Sequence, residues 1–255
     1  MIFPLYDDNS DRTTTPIVNY ALIAINVLVF VFLQQLGTNE RFTQAFSTVP
    51  QEIISGRDVR TPDRVVEHPA TGQEILLPGL QPTPFSVYLT LIFSMFMHGG
   101  IAHIAGNMLF LWIFGDNVED RMGHWRYLIF YLVCGVLASL AHVLTTVMFA
   151  AEPGSLLIPS LGASGAISGV LGGYIVLYPH RRVTAIVFRF VTDVPAYVAI
   201  GIWFAFQLIS GMGVLGGSQL GGVAYAAHIG GFVAGVVLVK VFTIGRGTRA
   251  YVNPD

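Results

Sequence analysis

The sequence predicts an all-α protein that crosses a membrane several times. Hydrophobic residues make up 53% of the 255 positions and charged residues only 11%, and the mean hydropathy is +0.65. A soluble globular chain carries about 25% charged residues, so this chain has too few to cover a water-facing surface. Several apolar stretches reach or approach the roughly 20 residues that a helix needs to cross a hydrocarbon core of ~30 Å. These observations predict a polytopic membrane protein.

Charge and cysteine content exclude several other classes of protein. The 13 basic and 15 acidic residues give a net charge of −2, so the chain has no basic field that could bind nucleic acid. The one cysteine, Cys134, lies in an apolar run and cannot form a disulfide within the chain, which excludes a disulfide-stabilised secreted fold. We therefore expect the lipid bilayer, and no nucleic acid, as a partner.

Six membrane-spanning helices are predicted. The membrane domain covers 16–244, and the approximate spans are 16–36, 101–115, 125–150, 164–178, 194–213 and 224–244. The first two spans are separated by a long first loop, 37–100, in which 64–68 and 73–77 favour a hairpin. Residues 85–97 and 183–193 are expected to lie along the membrane interface.

The basic residues predict the orientation of the spans. With six spans, nine of the 13 Lys and Arg residues fall on the side that carries both termini, and four fall in the first loop on the other side. Cytoplasmic loops carry the excess of Lys and Arg, so the N-terminal segment 1–15 and the tail 245–255 are predicted to be cytoplasmic. In a bacterium, this membrane is the cell inner membrane.

Ser164 stands at the start of the short fourth span. Its 15 residues cover only ~22 Å of the ~30 Å core, so the helix must begin below the membrane surface. The irregular chain before it must then be buried in protein or line a water-filled cavity. Gly162 and Gly165 leave the hydroxyl unshielded. A serine is a weak nucleophile without a base within ~2.6–3.2 Å, and alone this serine is better explained as a helix cap or packing residue.

Histidine is the base that the spans offer. No Asp or Glu lies inside a span except near an end, and the one lysine, Lys240, lies ~18 Å from His228 along the same helix. Small residues predict close contact between the fourth and sixth spans. They form two stripes, Gly165, Gly169 and Gly173 on one helix and Ala224, His228, Gly231 and Gly235 on the other. Such a contact can bring the imidazole of His228 to Ser164.

His103 and Asn107 form a second polar pair, in the second span. They lie four positions apart and therefore on one helix face, and His98 lies five residues earlier at the mouth of the span. With the backbone N–H of Ser164, the pair could donate hydrogen bonds to an oxyanion; a polar pair that joins helices explains them equally well. Interhelical hydrogen bonding is the preferred interpretation of the other polar groups in the spans, Gln207, Ser168 and His142.

Three motifs together resemble those of the rhomboid intramembrane serine proteases. They are HGGIAHIAGN at 98–107, GASG at 162–165 and AHIGG at 227–231, and they occur in the family's order and in the expected spans. The resemblance covers about 85–244. It implies a six-helix rhomboid-like bundle that cleaves single-span membrane proteins within or beside their transmembrane helix. We expect no cofactor and no metal.

The resemblance also implies roles for individual residues. Ser164 would be the nucleophile and His228 the general base and acid of a Ser-His dyad. His103 and Asn107 would contribute to the oxyanion hole. Residues expected to support this site are His98, Gly162 and Gly165. A structural pair of the family, which ties down the loop after the second span, is matched by Glu119 and Arg121.

The chain departs from the family pattern in two places. Some members carry an aromatic residue four positions after the nucleophile, where it stacks on the catalytic histidine, but this chain has Ser168. The orientation of the histidine must therefore come from elsewhere. A tryptophan-arginine pair found in the first loop of some members is also missing before His98. A glycine-rich stretch at 213–222 is expected to form a mobile lid.

Three other functions compete with this interpretation. The first is a transporter or channel that uses the polar groups as a pathway, although the sequence has no inverted repeat and no charge at mid-membrane. The second is a haem or metal protein with His98, His103 and His228 as ligands. The third is a catalytically inactive relative that binds membrane proteins. The presence of both Ser164 and His228 argues against it.

Overall fold

The computed structural model describes residues 2–67, 74–149, 153–215 and 225–246, and the chain is mostly helical. The α-helices in these residues are α1 (Ile17–Leu28), α2 (Glu40–Ala45), α3 (Pro50–Ser55), α4 (Thr90–Phe93), α5 (Ile101–Met122), α6 (His124–Phe149), α7 (Ser164–Leu177), α8 (Ala196–Leu215) and α9 (Tyr225–Phe242). The strands are β1 (Ile2–Asp7), β2 (Arg64–Glu67), β3 (Glu74–Leu77), β4 (Arg182–Val187) and β5 (Phe190–Pro195).

Apolar helical segments lie where the sequence predicts spans. In the described part of the chain, α6 and α9 are each long and apolar enough to cross a membrane. Together with the short helical stretch Val87–Phe96, α5 meets the same criterion, and an 81° bend separates the two. That bend falls at 97–100, between the segment predicted to be interfacial and the predicted second span. Shorter apolar helices occupy Ile17–Leu33, Ser164–Leu177 and Ala196–Gly211.

Helix α5 runs past the predicted end at 115 because the polar residues of its last turns find partners in the N-terminal segment. The carboxylate of Asp116 forms an ion pair with Arg12. The carboxylate of Glu119 accepts hydrogen bonds from two backbone N–H groups in the first turn of α1, at 3.0 and 2.6 Å. A carboxylate at a helix N-terminus satisfies N–H groups that have no partner within the helix. These contacts join α1 to the end of α5.

The prediction of an all-α fold is wrong at one end of the bundle. The segment predicted to be interfacial, 183–193, contributes to the hairpin β4–β5, and β1 pairs antiparallel with β4 to make a three-stranded sheet. The sequence of β4, RVTAIV, is rich in β-branched residues that favour strands. Its partner β1 lies far away in the sequence, with Ile2 opposite Val187, so no local pattern shows the pairing.

The long first loop contains the hairpin that the sequence favours. Strands β2 and β3 pair antiparallel, with Arg64 opposite Leu77 and Glu67 opposite Glu74. The turn between them, 68–73, lies outside the described residues. The short helices α2 and α3 precede this hairpin.

A buried polar cluster lies where β1 meets the ends of α5 and α7. Asp7 accepts hydrogen bonds from the hydroxyl of Tyr174 at 2.6 Å and from the amide of Asn117 at 2.7 Å. Burial raises the pKa of Asp7 to about 7; nearby Asp116 raises it further, while these hydrogen bonds and Arg181 oppose the rise. The cluster fastens the N-terminal strand to the bundle.

The two ends of the described chain meet at this same end of the bundle. Arg126, in the first turn of α6, donates a hydrogen bond to the carbonyl of Ile244 at 2.7 Å. Arg121, near the end of α5, donates to the carbonyl of Arg246 at 3.1 Å. Arg12 pairs with Asp116 of α5, so arginines link both the first and the last described segments to this end of the bundle.

The apolar core lies where α5, α6, α7 and α9 meet. Its fully buried members include Leu111, Phe114, Tyr127, Phe130, Val170, Leu171, Tyr174 and Val239. Helix α7 is surrounded by its neighbours, since every residue from Gly165 to Tyr174 is buried. A helix that is apolar on all sides belongs in the interior of a bundle, and α7 carries the candidate serine at its first residue.

Candidate active site

Glycines let α7 and α9 approach until their backbones touch. A Cβ atom at Gly231 would overlap the carbonyl oxygen of Gly165, and one at Gly235 would overlap the carbonyl oxygen of Gly169. The two helices therefore meet along the small-residue stripes that the sequence shows. Close approach of this kind depends on the absence of side chains at the interface.

This contact brings Ser164 and His228 together. The Nε2 atom of His228 lies 2.7 Å from Oγ of Ser164, although 64 positions separate the residues in the sequence. The distance is that of a hydrogen bond between hydroxyl and imidazole. It lies within the range that a general base needs to take a proton from a serine.

The chain before Ser164 is held by the first loop and the segment before α5. Thr48 forms a two-way antiparallel bridge with Ser160, with N–H···O distances of 2.9 and 2.8 Å. The N–H of Gly162 donates to the carbonyl of Ser94 at 2.8 Å, and Thr48 Oγ1 lies 3.0 Å from Ser94 Oγ. These bonds satisfy irregular backbone next to the site. They also show how the first loop docks without the tryptophan-arginine pair.

Ser164 is the first residue of α7, so its backbone N–H is among the helix N–H groups that have no partner in the preceding turn. Gly162, two residues earlier, has a φ of +121°, a conformation that other residues rarely adopt. A Cβ at this glycine would lie 2.9 Å from Cε1 and Nε2 of His103 and 3.7 Å from Oγ of Ser164. The space beside Gly162 is therefore within reach of both the His103 ring and the Ser164 hydroxyl.

Asn107 and His98 are both buried polar residues of this region. The Nδ2 amide of Asn107 has no hydrogen-bond partner. The backbone of His98 is held by the side chain of Gln34, which accepts from its N–H and donates to its carbonyl, both at 2.9 Å. The ring of His98 meets that of His103 edge to face, with centroids 5.2 Å apart. An unpaired buried donor such as Asn107 Nδ2 needs an explanation, and a bound oxyanion supplies one.

Gln207 is a site residue that the sequence interpretation missed. Its Oε1 lies 2.8 Å from Nδ1 of His228, on the side of the ring opposite Ser164. Trp203, one turn earlier on α8, also faces the imidazole, with ring centroids 6.2 Å apart. The sequence predicted an interhelical hydrogen bond for Gln207 but did not show that its partner is His228. It is the one side-chain amide in α8, a signal that could have singled it out.

The structure also places the residues that depart from or match the family's pattern. The hydroxyl of Ser168 donates to the carbonyl of Ser164 at 2.6 Å, within its own helix, and so makes no contact with the imidazole through this bond. Glu119 caps α1 and contacts His124, while Arg121 donates to the chain after α9. Both therefore join α5 to other segments.

Two further expectations concern metal binding and the lid. Within the described residues, no group of three or more His, Cys, Asp or Glu side chains is placed to hold a metal ion. The set His98, His103 and His228 is therefore not gathered as ligands in this part of the chain. Most of the expected lid, from 216 onward, lies outside the described residues.

Comparison with known proteins identifies the family of this bundle. A family profile described as "Rhomboid domain" matches residues 86–244. The chain is 29% identical over 219 residues to "Rhomboid protein 1, mitochondrial" of Saccharomyces cerevisiae, which covers 86% of this chain and 51% of that protein. It is 30% identical over 218 residues to "Rhomboid protease GluP" of Bacillus subtilis, covering 84% and 35%.

A third relative is "Presenilin-associated rhomboid-like protein, mitochondrial" of Mus musculus, 32% identical over 146 residues that cover 57% of this chain and 36% of that protein. The chain thus spans about half or less of the length of these curated relatives. The family match and the apolar helices together make it an integral membrane protein. This chain belongs to the rhomboid family.

Proposed function

We propose that the protein is an intramembrane serine endopeptidase that works through a Ser-His dyad, with Ser164 as nucleophile and His228 as general base and acid. The observation that carries this proposal is the 2.7 Å distance between His228 Nε2 and Ser164 Oγ. The family supports an intramembrane protease, and one relative in it is named a protease. The geometry supports the proposal, because the Ser164 hydroxyl lies at a helix N-terminus within hydrogen-bonding distance of an imidazole.

In the acylation step, His228 Nε2 takes the proton of the Ser164 hydroxyl as Oγ attacks the carbonyl carbon of the scissile bond. The electron pair of the carbonyl moves to its oxygen. When this tetrahedral intermediate collapses, the C–N bond breaks and the imidazolium gives its proton to the leaving amine. Water then repeats the sequence on the acyl-enzyme, with His228 as base, and releases the new carboxyl end and free Ser164.

We expect the developing oxyanion to be stabilised by three hydrogen-bond donors near Ser164. The backbone N–H of Ser164 lies at the positive end of the α7 dipole. His103 lies beside Gly162 within reach of the same space, and Asn107 holds an unpaired Nδ2 donor one turn further along α5. His98 and Gly162 support this arrangement, and Gly165 keeps α7 against its neighbours. Donors that are fixed before the reaction stabilise the transition state without reorganisation.

The substrate we propose is a membrane protein that crosses the bilayer once. A helical substrate hides its carbonyl groups in its own hydrogen bonds, so it must unwind locally before Ser164 can attack. Residues that weaken a helix near the cleavage site are therefore expected to favour cleavage. Hydrolysis requires water at the dyad, which must reach it from the outer face.

We further propose six crossings, made by α1 and α5 through α9, in a membrane domain that covers 16–244 with first loop 37–100. Both terminal segments, 1–15 and 245–255, are assigned to the cytoplasm. Nine of the 13 basic residues lie on that side. The arginines around the two ends of the described chain support a common side for both. If the protein is bacterial, it belongs in the cell inner membrane.

Covalent labelling and cleavage in proteoliposomes test the proposal. A fluorophosphonate is expected to label Ser164 of the wild-type protein, and Ser164→Ala is expected to remove the label. Ser164→Ala and His228→Ala are each expected to abolish cleavage of a reporter single-span substrate. Cleavage that survives in either variant would reject the dyad. Flux of a solute without peptide cleavage would instead favour a transporter.

A further inference from the structure

We propose that Gln207 is the positioning residue of this dyad: it holds the imidazole of His228 in the orientation and tautomer that leave Nε2 free to accept the Ser164 proton. The proposal rests on the proposed function and assigns a role within the same site. Gln207 itself contacts no reacting atom in the structure. It acts through His228, whose Nδ1 lies 2.8 Å from Gln207 Oε1.

The contact is built into the bundle and does not depend on an exposed side chain. Gln207 is buried, with 6% of its surface exposed, although it lies on α8 among apolar residues. Trp203 and Gln207 are one turn apart and share a helix face. Their side chains approach His228 together, since the Trp203 ring centroid is 6.2 Å from that of the imidazole. Thus α8 supplies two contacts to the histidine on α9.

The amide oxygen determines which ring nitrogen carries the hydrogen. Oε1 has no hydrogen to donate, so a hydrogen bond to it requires an N–H at Nδ1 of His228. In the neutral imidazole, Nε2 is then unprotonated and can accept from the hydroxyl of Ser164 at 2.7 Å. An amide turned the other way would present N–H to Nδ1 and place the hydrogen on Nε2, where it blocks proton transfer. The bond to Oε1 therefore selects the productive tautomer.

A neutral amide suits this position better than a carboxylate does. An ionised carboxylate is costly within a bilayer, whereas an amide oxygen offers a partial negative charge without a full one. It still stabilises the imidazolium that forms when Ser164 attacks, because Nδ1–H donates to it in both protonation states. Gln207 thus takes the position that an acidic residue holds in a three-residue serine protease site.

The need for such a residue follows from Ser168. The position one turn after Ser164 on α7 carries no ring that could hold the imidazole: it is Ser168, whose hydroxyl bonds to the carbonyl of Ser164 at 2.6 Å. Helix α7 therefore supplies the nucleophile without an aromatic ring at that position. Of the side chains that contact the imidazole, Gln207 and Trp203 lie on α8, and Tyr225 lies on α9 with its ring centroid 6.5 Å away.

Two substitutions of Gln207 separate positioning from packing. Gln207→Leu keeps the approximate size and removes the acceptor; we expect kcat to fall about 10- to 100-fold with KM within about 2-fold, because general-base catalysis contributes roughly 10²- to 10⁴-fold. Gln207→Glu restores an acceptor and adds charge; we expect it to recover kcat to within about 5-fold of wild type. The acid limb of its kcat/KM profile should move to higher pH by about one unit, since a carboxylate favours the imidazolium.

The matched control is Ile209→Leu, a lipid-facing position two residues further along α8, for which wild-type kinetics are expected. Thermal unfolding in detergent reports on folding of each variant. If Gln207→Leu fails to fold, the pH profile of Gln207→Glu carries the test. Wild-type kcat in Gln207→Leu, or equal loss in both variants with an unmoved acid limb, would overturn the proposal. Labelling of Ser164 in wild type but not in Ser164→Ala shows separately whether the dyad itself stands.

Discussion

The Oγ atom of Ser164 and the Nε2 atom of His228 lie 2.7 Å apart at the interface of α7 and α9. Glycines set the separation of these two helices. At Gly235, a side chain would overlap the carbonyl oxygen of Gly169, and at Gly231 it would overlap that of Gly165. The distance between hydroxyl and imidazole therefore depends on positions that lie one to two turns away from the reacting atoms.

Gly235→Ala is expected to push α9 away from α7. The added methyl group meets backbone, which cannot rotate out of the way, so we expect a loss of about 1–3 kcal/mol of stability and a fall in kcat larger than the change in KM. Thermal unfolding and cleavage assays measure both. Gly201→Ala on α8 is the control because nothing lies within 4 Å of its added Cβ. Equal stability and equal kcat in Gly235→Ala and Gly201→Ala would contradict the role of close packing between α7 and α9.

Asn107→Ala is expected to lower kcat about 10²- to 10³-fold, the usual effect of removing one oxyanion donor. The reason is that the Nδ2 group of Asn107 is buried without a partner and so is free to bind the oxyanion. KM for a reporter single-span substrate should change little. Gly106→Ala, next to it on α5 and open to space, should behave as wild type. A kcat within 2-fold of wild type in Asn107→Ala would remove this residue from the oxyanion hole.

Gly162→Ala tests whether backbone shape beside Ser164 is required. The φ of +121° is strained for alanine, and the new Cβ would press on the His103 ring at 2.9 Å. We expect a folded protein in which the cleavage rate and the rate of fluorophosphonate labelling both fall by about 10-fold or more, because the catalytic groups are misplaced. Gly154→Ala, in the same preceding segment and free of contacts, serves as control. Unchanged labelling in Gly162→Ala would show that this space tolerates a side chain.

Asp7 makes the attachment of the N-terminal strand depend on pH. Burial raises the pKa of Asp7 from 3.8 to about 7, so the folded protein binds a proton that the unfolded chain releases. The stabilisation is complete below about pH 4 and is lost as the pH rises through 7, by an amount on the order of 4 kcal/mol. Asp7→Asn mimics the protonated form, so we expect it to be more stable than wild type by about 1–2 kcal/mol at pH 5, and by about 4 kcal/mol at pH 8.

Apparent melting temperatures in detergent at pH 5 and pH 8 measure this effect. Glu74→Gln, which changes an exposed carboxylate in the first-loop hairpin, is the control and should show the wild-type pH dependence. The assignment fails if wild-type stability is flat between these pH values or if Asp7→Asn is the less stable protein at pH 8.

Much of the helical framework was predictable because hydrophobic length is a local property of the sequence. The apolar run at 125–150 became α6, and the short fourth span became α7, beginning at Ser164 as predicted. The end of α5 was predicted too early because Asp116 and Glu119 look like loop residues by themselves. Their burial depends on Arg12 and on the first turn of α1, which are about a hundred positions away.

The sequence by itself determined that the chain is apolar and helical, and the spacing within each helix determined which small and polar residues share a face. The tertiary structure alone decided which faces meet. It joined β1 to a hairpin near residue 190, and it placed Gln207 of α8 against His228 of α9. The physical reason is that helical periodicity orders residues around one axis, whereas the rotation and approach of two helices follow from how all their side chains pack together.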